Sequence, residues 1–200
     1  MKWLGLTGGI ACGKSTVSSL LREHGIPVLD ADEVAKIVVK PGSPGLQSVV
    51  QVFGPGILEA SGSLDRRRLG QIVFGDKAKL RLLESITHPL IREEIDRQRQ
   101  VLQRQGAALA IYDVPLLFES QSEKQFEKVI VVSCTQQQQR ARLRQRTGWS
   151  DTEIENRIAA QIPLTEKESK ADFIIHNDGD ADYLKKEVQR LLSWLNTIVH

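Results

Sequence analysis

Gly8, Gly13, Lys14 and Ser15 stand at the spacing Gly-x-x-x-x-Gly-Lys-Ser, inside the run Gly8-Gly9-Ile10-Ala11-Cys12-Gly13-Lys14-Ser15-Thr16. That spacing suits the grip of a polyphosphate. Glycine at both ends lets the backbone take positive φ and come close to an anion, so that successive amides turn inward around it. A helix opening near Lys14 adds its unsatisfied N–H groups and the positive end of its dipole at the same place. Lys14 then carries a mobile charge to the β- and γ-phosphates, and the Ser15 hydroxyl is the expected ligand of a Mg²⁺ ion. The bland alternative is an ordinary β-α turn. Against it stand the short apolar run Trp3-Leu4-Gly5-Leu6 just before the loop and the amphipathic helical pattern just after it.

Phosphoryl transfer asks the protein for positioning, charge neutralisation and a group to take the nucleophile's proton. Asp30-Ala31-Asp32 follows the second apolar run, and a carboxylate there suits a general base or a holder of metal-bound water. It equally suits an N-cap for the helical pattern that begins at Glu33. Asp113 ends the run Leu109-Ala110-Ile111-Tyr112, where phosphate-loop proteins present a second metal-supporting carboxylate; a strand-end turn is the alternative. The segment after Cys134 carries Arg140, Arg142, Arg144, Arg146 and Arg157. Arg142 and Arg146 share one helix face, and Arg140 and Arg144 another. A solvated face balanced by Asp151, Glu153 and Glu155 would account for such a run, but with a phosphate loop in the same chain a mobile lid over ATP is the better expectation. His88-Pro89 and the cluster Arg66-Arg67-Arg68 are harder to assign, although Pro89 is expected to kink or restart a helix.

The elements that must position these groups can be read from apolar periodicity. Strands are expected at Trp3 to Leu6, Pro27 to Leu29, Leu109 to Tyr112, Val129 to Val132 and Phe173 to Ile175. Several are apolar at consecutive positions, as in parallel strands covered on both faces. Between them lie helical patterns, with Val17, Leu20 and Leu21 on one face of the first, and Leu184, Val188, Leu191, Leu192 and Leu195 on one face of the last. This is a doubly wound α/β layout. The stretch from about 34 to 105 is far longer than a βαβ unit needs, and its patterns around 33–39, 46–53, 69–74 and 77–105 predict a mainly helical insertion over the sheet edge. A second insertion lies between Cys134 and about Leu164.

Charge and composition narrow the function classes. With 27 basic and 25 acidic side chains in 200 residues, a net charge of +2 gives no ground for wholesale nucleic-acid binding, so anion recognition must be local. Met1 to Cys12 is too short and glycine-rich an apolar run for a signal peptide, and no run of about 18 apolar residues suggests a membrane span. The two cysteines, Cys12 and Cys134, make no CxxC pair and do not call for an oxidising compartment. A cytoplasmic enzyme, acting as a monomer or weak homo-oligomer, is the simplest expectation. No Asn-Lys-x-Asp follows the loop to read guanine, and Asp113 is followed by Val-Pro-Leu, with no switch glycine or water-polarising glutamate. These absences favour a small-molecule kinase over a GTPase or motor.

Several segments together are more specific than the loop. They are Gly5-Leu6-Thr7-Gly8-Gly9-Ile10 with Gly13-Lys14-Ser15, Asp30-Ala31-Asp32, Leu64-Asp65-Arg66 with Leu69, Leu83-Glu84 through His88-Pro89, and Asp113-Val114-Pro115-Leu116-Leu117-Phe118-Glu119. Arg142-Leu143 with Arg146, Arg157 with Gln161, Lys167, and Ala171-Asp172 with Asn177 complete the set. On these residues the chain resembles the dephospho-coenzyme A kinases along nearly its full length.

The resemblance implies a three-layer P-loop NTPase core with a five-stranded parallel sheet, built from residues 1–33, 106–135 and 165–200, with a helical acceptor-binding insertion at 34–105 and a helical lid at 136–164. It implies transfer of the γ-phosphoryl group of ATP, with Mg²⁺, to the ribose 3′-hydroxyl of dephospho-coenzyme A. Asp32 is then the base, acting with Lys14, Arg142 and Arg146; residues 8–16 and Asn177 hold ATP, Asn177 near the adenine; and Asp32, Arg66, His88, Asp113 and Leu116 face the acceptor. Ala11-Cys12 departs from the family, which more often shows Gly and Ser there, and a thiol at that point is expected to make the enzyme thiol-sensitive. A kinase for another small alcohol or nucleotide, and a nucleotide-dependent switch or nucleic-acid-binding module using the arginines, are the competing readings.

Overall fold

In the computed structural model, which describes residues 1–199, the chain forms two compact units, residues 1–29 with 102–199, and residues 30–101. The first is built on a five-stranded parallel sheet of β1 (Lys2–Gly8), β2 (Val28–Asp30), β3 (Leu109–Asp113), β4 (Lys128–Ser133) and β5 (Phe173–His176), in the order β2-β3-β1-β4-β5. β1 lies between β3 and β4, with Leu6 opposite both Asp113 and Ile130. All five expected strands are present, most of them a residue or two longer.

The consecutive apolar residues of β4 are explained by its two covered faces. Ile130 and Val132 point into one core with Leu4, Leu6, Val17, Leu21, Leu184, Val188, Leu191 and Leu195, supplied by β1, α1 (Lys14–Glu23) and α9 (Ala181–Val199). Val129 and Val131 point the opposite way, into a second cluster with Leu117 and Phe118. Trp3 and Tyr112 stack 5.7 Å apart on that same side, and Gly5 leaves the room that Leu117 and Phe126 occupy. An alternating polar face would leave one of these cores unfilled.

Three further helices complete this unit. α6 (Gln136–Arg146) opens on a capping box between Thr135 and Gln138, and α7 (Asp151–Ala159) on another between Ser150 and Glu153. α8 (Leu164–Ser169) follows Pro163 and leads to β5. Lys167 of α8 is buried and pairs with Glu119, 2.7 Å away, while Glu119 also accepts from the Ile162 amide at 3.1 Å.

The second unit is helical, as the spacing predicts, with α2 (Ala31–Ile37), α3 (Pro44–Phe53), α4 (Arg66–Val73) and the 28-residue α5 (Lys77–Arg104), whose end passes into the first unit. Its own core gathers Val34, Val38, Leu46, Val49, Ile57, Leu69 and Val73, with Leu83, Ile86 and Leu90 of α5 packed against them. The helix does not restart at Pro89. Pro89 and Ser85 are both exposed, so the Ser85 carbonyl that Pro89 leaves without an amide can be hydrated, and one lost hydrogen bond does not end a helix of this length.

Candidate active site

The chain leaves β1 at Gly8 in the middle of the sheet, and the loop 9–13 turns straight into α1. The two framing glycines are needed for different reasons. Gly13 sits at φ 91°, the left-handed region, and a Cβ there would run into the side-chain amide of Asn177. Gly8 does not have positive φ, contrary to the expectation for both ends; a Cβ on it would strike the Val132 carbonyl, so its role is close approach to β4. Gly13→Ala is expected to lower stability by at least about 2 kcal/mol, since left-handed strain alone costs roughly 1–2 kcal/mol before Asn177 moves. Thermal unfolding and titration with a fluorescent ATP analogue would both register it.

Ala11 has φ 60°, in the left-handed region although it is not a glycine. A side chain in this conformation is strained, so Ala11→Gly is expected to raise stability by about 0.5–1 kcal/mol, part of the relief being offset by the freer unfolded chain. A denaturation midpoint that falls instead would show that the methyl group packs usefully.

The polar groups of the loop are satisfied from within. The Lys14 ammonium pairs with Asp113, which is fully buried at the end of β3, and the Ser18 hydroxyl donates to the other Asp113 oxygen at 2.6 Å. The Ile10 amide donates to Gln161 Oε1 at 3.0 Å, and the Ile10 carbonyl accepts from Gln139 Nε2 at 2.9 Å. Asn177 Nδ2 donates to the Cys12 carbonyl at 2.8 Å. Arg142 donates to the Asn177 carbonyl at 2.9 Å and the Ala11 carbonyl at 3.4 Å. Asn177 is thus tied to the loop backbone, and Arg142 clamps the loop to the end of β5.

The arginines of α6 divide by face. Arg140 and Arg144 pair with Glu155 and Asp151 of α7, at 2.5 and 2.7 Å, which is the solvated balance of charge. Arg142 and Arg146, on the other face, line a cavity of about 340 Å³ with Gly13, Ser15, Thr16, Asn177 and the turn at Gly179-Asp180. That volume suits a small ligand, and its cations stand beside the loop. The arginine run therefore divides into a face ion-paired with α7 and a face that borders the cavity beside the loop.

Cys12 and Cys134 are buried, with their sulphurs 2.7 Å apart. The contact and burial push the Cys12 thiol well above the usual thiol range, while the hydrogen bond from Cys12 and the charge of Arg142 pull Cys134 down.

Asp32, Arg66 and His88 lie in the second unit, on α2, α4 and α5. The capping alternative resolves onto Asp30, which accepts from the amides of Asp32 and Glu33 at 2.8 and 3.2 Å. Asp32 stays exposed in the first turn of α2, as do Arg66 in the first turn of α4 and His88 in mid-helix. Leu116 is exposed in the turn after β3. Ser18 and Gln139 are the structurally important residues the sequence reading missed. Ser18 is one helical turn beyond Lys14, and that offset is the signal that could have found it.

A family model described as dephospho-CoA kinase matches residues 2–182. The chain belongs to the dephospho-CoA kinase family. It is 61% identical to the dephospho-CoA kinase of Bdellovibrio bacteriovorus over 99% of this chain and 98% of that one, and 43% identical to that of Geobacillus kaustophilus over 94% of each. Among solved structures, the dephospho-CoA kinase of Campylobacter jejuni superposes with a TM-score of 0.68 at 30% identity over 96% of both chains. A shikimate kinase from Aquifex aeolicus, at 16% identity and a TM-score of 0.51 over 97% of this chain and 96% of that one, shares the fold. The sheet with helices on both faces makes a three-layer α/β fold, that of P-loop kinases.

Among the described residues there is no cluster of three or more His, Cys, Asp or Glu suited to hold a metal ion. That donor set is compatible with Mg²⁺, which keeps several waters and borrows oxygens from substrate phosphates, so a hydroxyl such as Ser15 and one carboxylate suffice on the protein side. No helix among the described residues is long and apolar enough to cross a membrane.

Proposed function

We infer that the protein transfers the γ-phosphoryl group of ATP to the ribose 3′-hydroxyl of dephospho-coenzyme A, releasing coenzyme A and ADP, the last step of coenzyme A synthesis. The match to the family along the chain, with the Gly8–Ser15 loop intact between β1 and α1, carries this reading. The loop amides and the α1 N-terminus bind the phosphates, and Lys14 exchanges its Asp113 carboxylate for a phosphate oxygen. Arg142 and Arg146 offset charge on the transferred group from the cavity side. Ser15, with Asp113 once Lys14 has left it, would hold Mg²⁺ among the phosphate oxygens, where the ion neutralises charge.

Asp32 takes the proton of the acceptor hydroxyl. Its place two residues beyond the end of β2 supports the role, and so does the fact that Asp30 and not Asp32 caps α2. Arg66, His88 and Leu116 are assigned to acceptor binding, Asn177 to the adenine side of the nucleotide site, residues 34–105 to the acceptor region and 136–164 to the lid. The enzyme acts in the cytoplasm as a monomer or weak homo-oligomer, with no nucleic-acid partner.

The direct test mixes the protein with Mg-ATP and dephospho-coenzyme A and follows coenzyme A by chromatography. Phosphorylation of a different alcohol, with dephospho-coenzyme A untouched, would replace this reading by that of a kinase with another acceptor.

A further inference from the structure

We propose that Cys12 and Cys134 form a redox-modifiable pair, which a hydroperoxide oxidises to a disulfide that ties the phosphate loop to the end of β4 and weakens nucleotide binding. The consequence for binding rests on the functional reading above; formation of the bond does not.

The chain has two cysteines, separated by 122 positions, and the fold brings their sulphurs to 2.7 Å in the hydrophobic core behind the loop. A disulfide needs about 2.05 Å, so little movement separates contact from bond. The two thiols are also differentiated. Cys134 lies just before the N-cap of α6 and near Arg142, both of which favour its thiolate, while Cys12 keeps its proton.

The reaction balances with the peroxide as sole co-reactant. The Cys134 thiolate attacks one peroxide oxygen, forming an S–O bond, breaking the O–O bond and releasing hydroxide, or alkoxide from an organic hydroperoxide. Cys12 then attacks the sulfenic sulphur, the S–S bond forms, the S–O bond breaks, and the Cys12 proton leaves with the departing oxygen as water. Two electrons pass from the sulphurs to the peroxide, and the other oxygen also ends as water or alcohol.

The strain of closure should fall on the loop. Cys134 directly follows β4, an interior strand whose last residue, Ser133, lies opposite His176. Cys12 sits between two left-handed residues, Ala11 and Gly13, its amide donating to the Gly9 carbonyl at 3.1 Å and its carbonyl held by Asn177. Drawing Cys12 toward β4 while meeting the disulfide dihedral moves these backbone groups. Amides aimed at an anion tolerate displacements of only about 0.5 Å. The bland reading is that the two thiols are simply packing, and it gives different results below.

The full-length reduced protein would be treated with hydrogen peroxide, quenched with catalase, and divided between non-reducing peptide mass spectrometry and titration with a fluorescent ATP analogue, before and after dithiothreitol. The expected result is a Cys12–Cys134 cross-linked peptide, a drop in nucleotide affinity of at least about tenfold, as when one or two amide–phosphate hydrogen bonds are lost, and recovery on reduction. Cys134→Ser should keep its untreated turnover and show no change in affinity with peroxide. Two free thiols after treatment, over-oxidation without a cross-link, or a cross-link with unchanged affinity would each overturn the proposal. Should the reduced protein bind no nucleotide, the functional reading fails instead, and the peptide map alone decides whether the bond forms.

Discussion

Lys14→Met is expected to reduce kcat/KM by at least about 10²–10³, the usual consequence of removing one charged donor aimed at the transferred group. The structure adds a second effect. Lys14 pairs with Asp113, whose side chain is fully buried, so removing the ammonium takes one cationic partner from a buried carboxylate. Losing one member of a buried pair costs about 3–5 kcal/mol; Lys14 is 19% exposed and Ser18 still donates to Asp113, so about 3 kcal/mol is the expected loss. The double variant Lys14→Met/Asp113→Asn should regain most of that stability without regaining activity. Urea denaturation and coenzyme A formation, measured on all three proteins, separate the two effects. A single variant with wild-type stability would show that the pairing carries little energy, and one with full activity would remove Lys14 from the chemistry.

Asp32→Asn should behave in the opposite manner, with turnover falling by about 10²–10⁴, as when a general base is lost, while stability stays within about 0.5 kcal/mol because the side chain is exposed and makes no hydrogen bond among the described residues. ATP affinity should be unchanged. Its neighbour provides the control: Asp30→Ala removes the N-cap of α2 and should cost about 1 kcal/mol of stability. If Asp30→Ala abolished turnover and Asp32→Asn did not, the base would have been assigned to the wrong carboxylate.

The parts of the fold that could be read directly are those where one local pattern has one physical solution. The apolar runs of β4 and β1 admit few placements other than a doubly covered parallel sheet, and Val17, Leu20 and Leu21 announce α1 against it. The site was legible where the motif is contiguous, from Gly8 to Thr16. It was not legible where partners come from distant segments. Nothing local in Gln161 or Gln139 says that one holds the Ile10 amide and the other its carbonyl, and nothing in Cys12 says that Cys134 lies against it. The choice between Asp30 and Asp32 as cap turned on φ at Asp30, −109°, which residue types alone do not specify. Gly8 was assigned the wrong reason because a close approach to Val132 depends on strand pairing, whereas the positive φ of Gly13 is a local matter.

The internal partners of the loop also bear on which anions it can hold. Lys14 already has a carboxylate, and the Ile10 amide already has the Gln161 oxygen. An incoming ligand must therefore evict two oxygens of the protein's own before it gains anything. Orthophosphate offers fewer contacts for these exchanges than a triphosphate chain, which could meet the ammonium, the amides and the helix end together. On the functional reading above, the occupied loop is expected to favour long polyphosphates, so ATP should displace the internal partners at a lower concentration than orthophosphate.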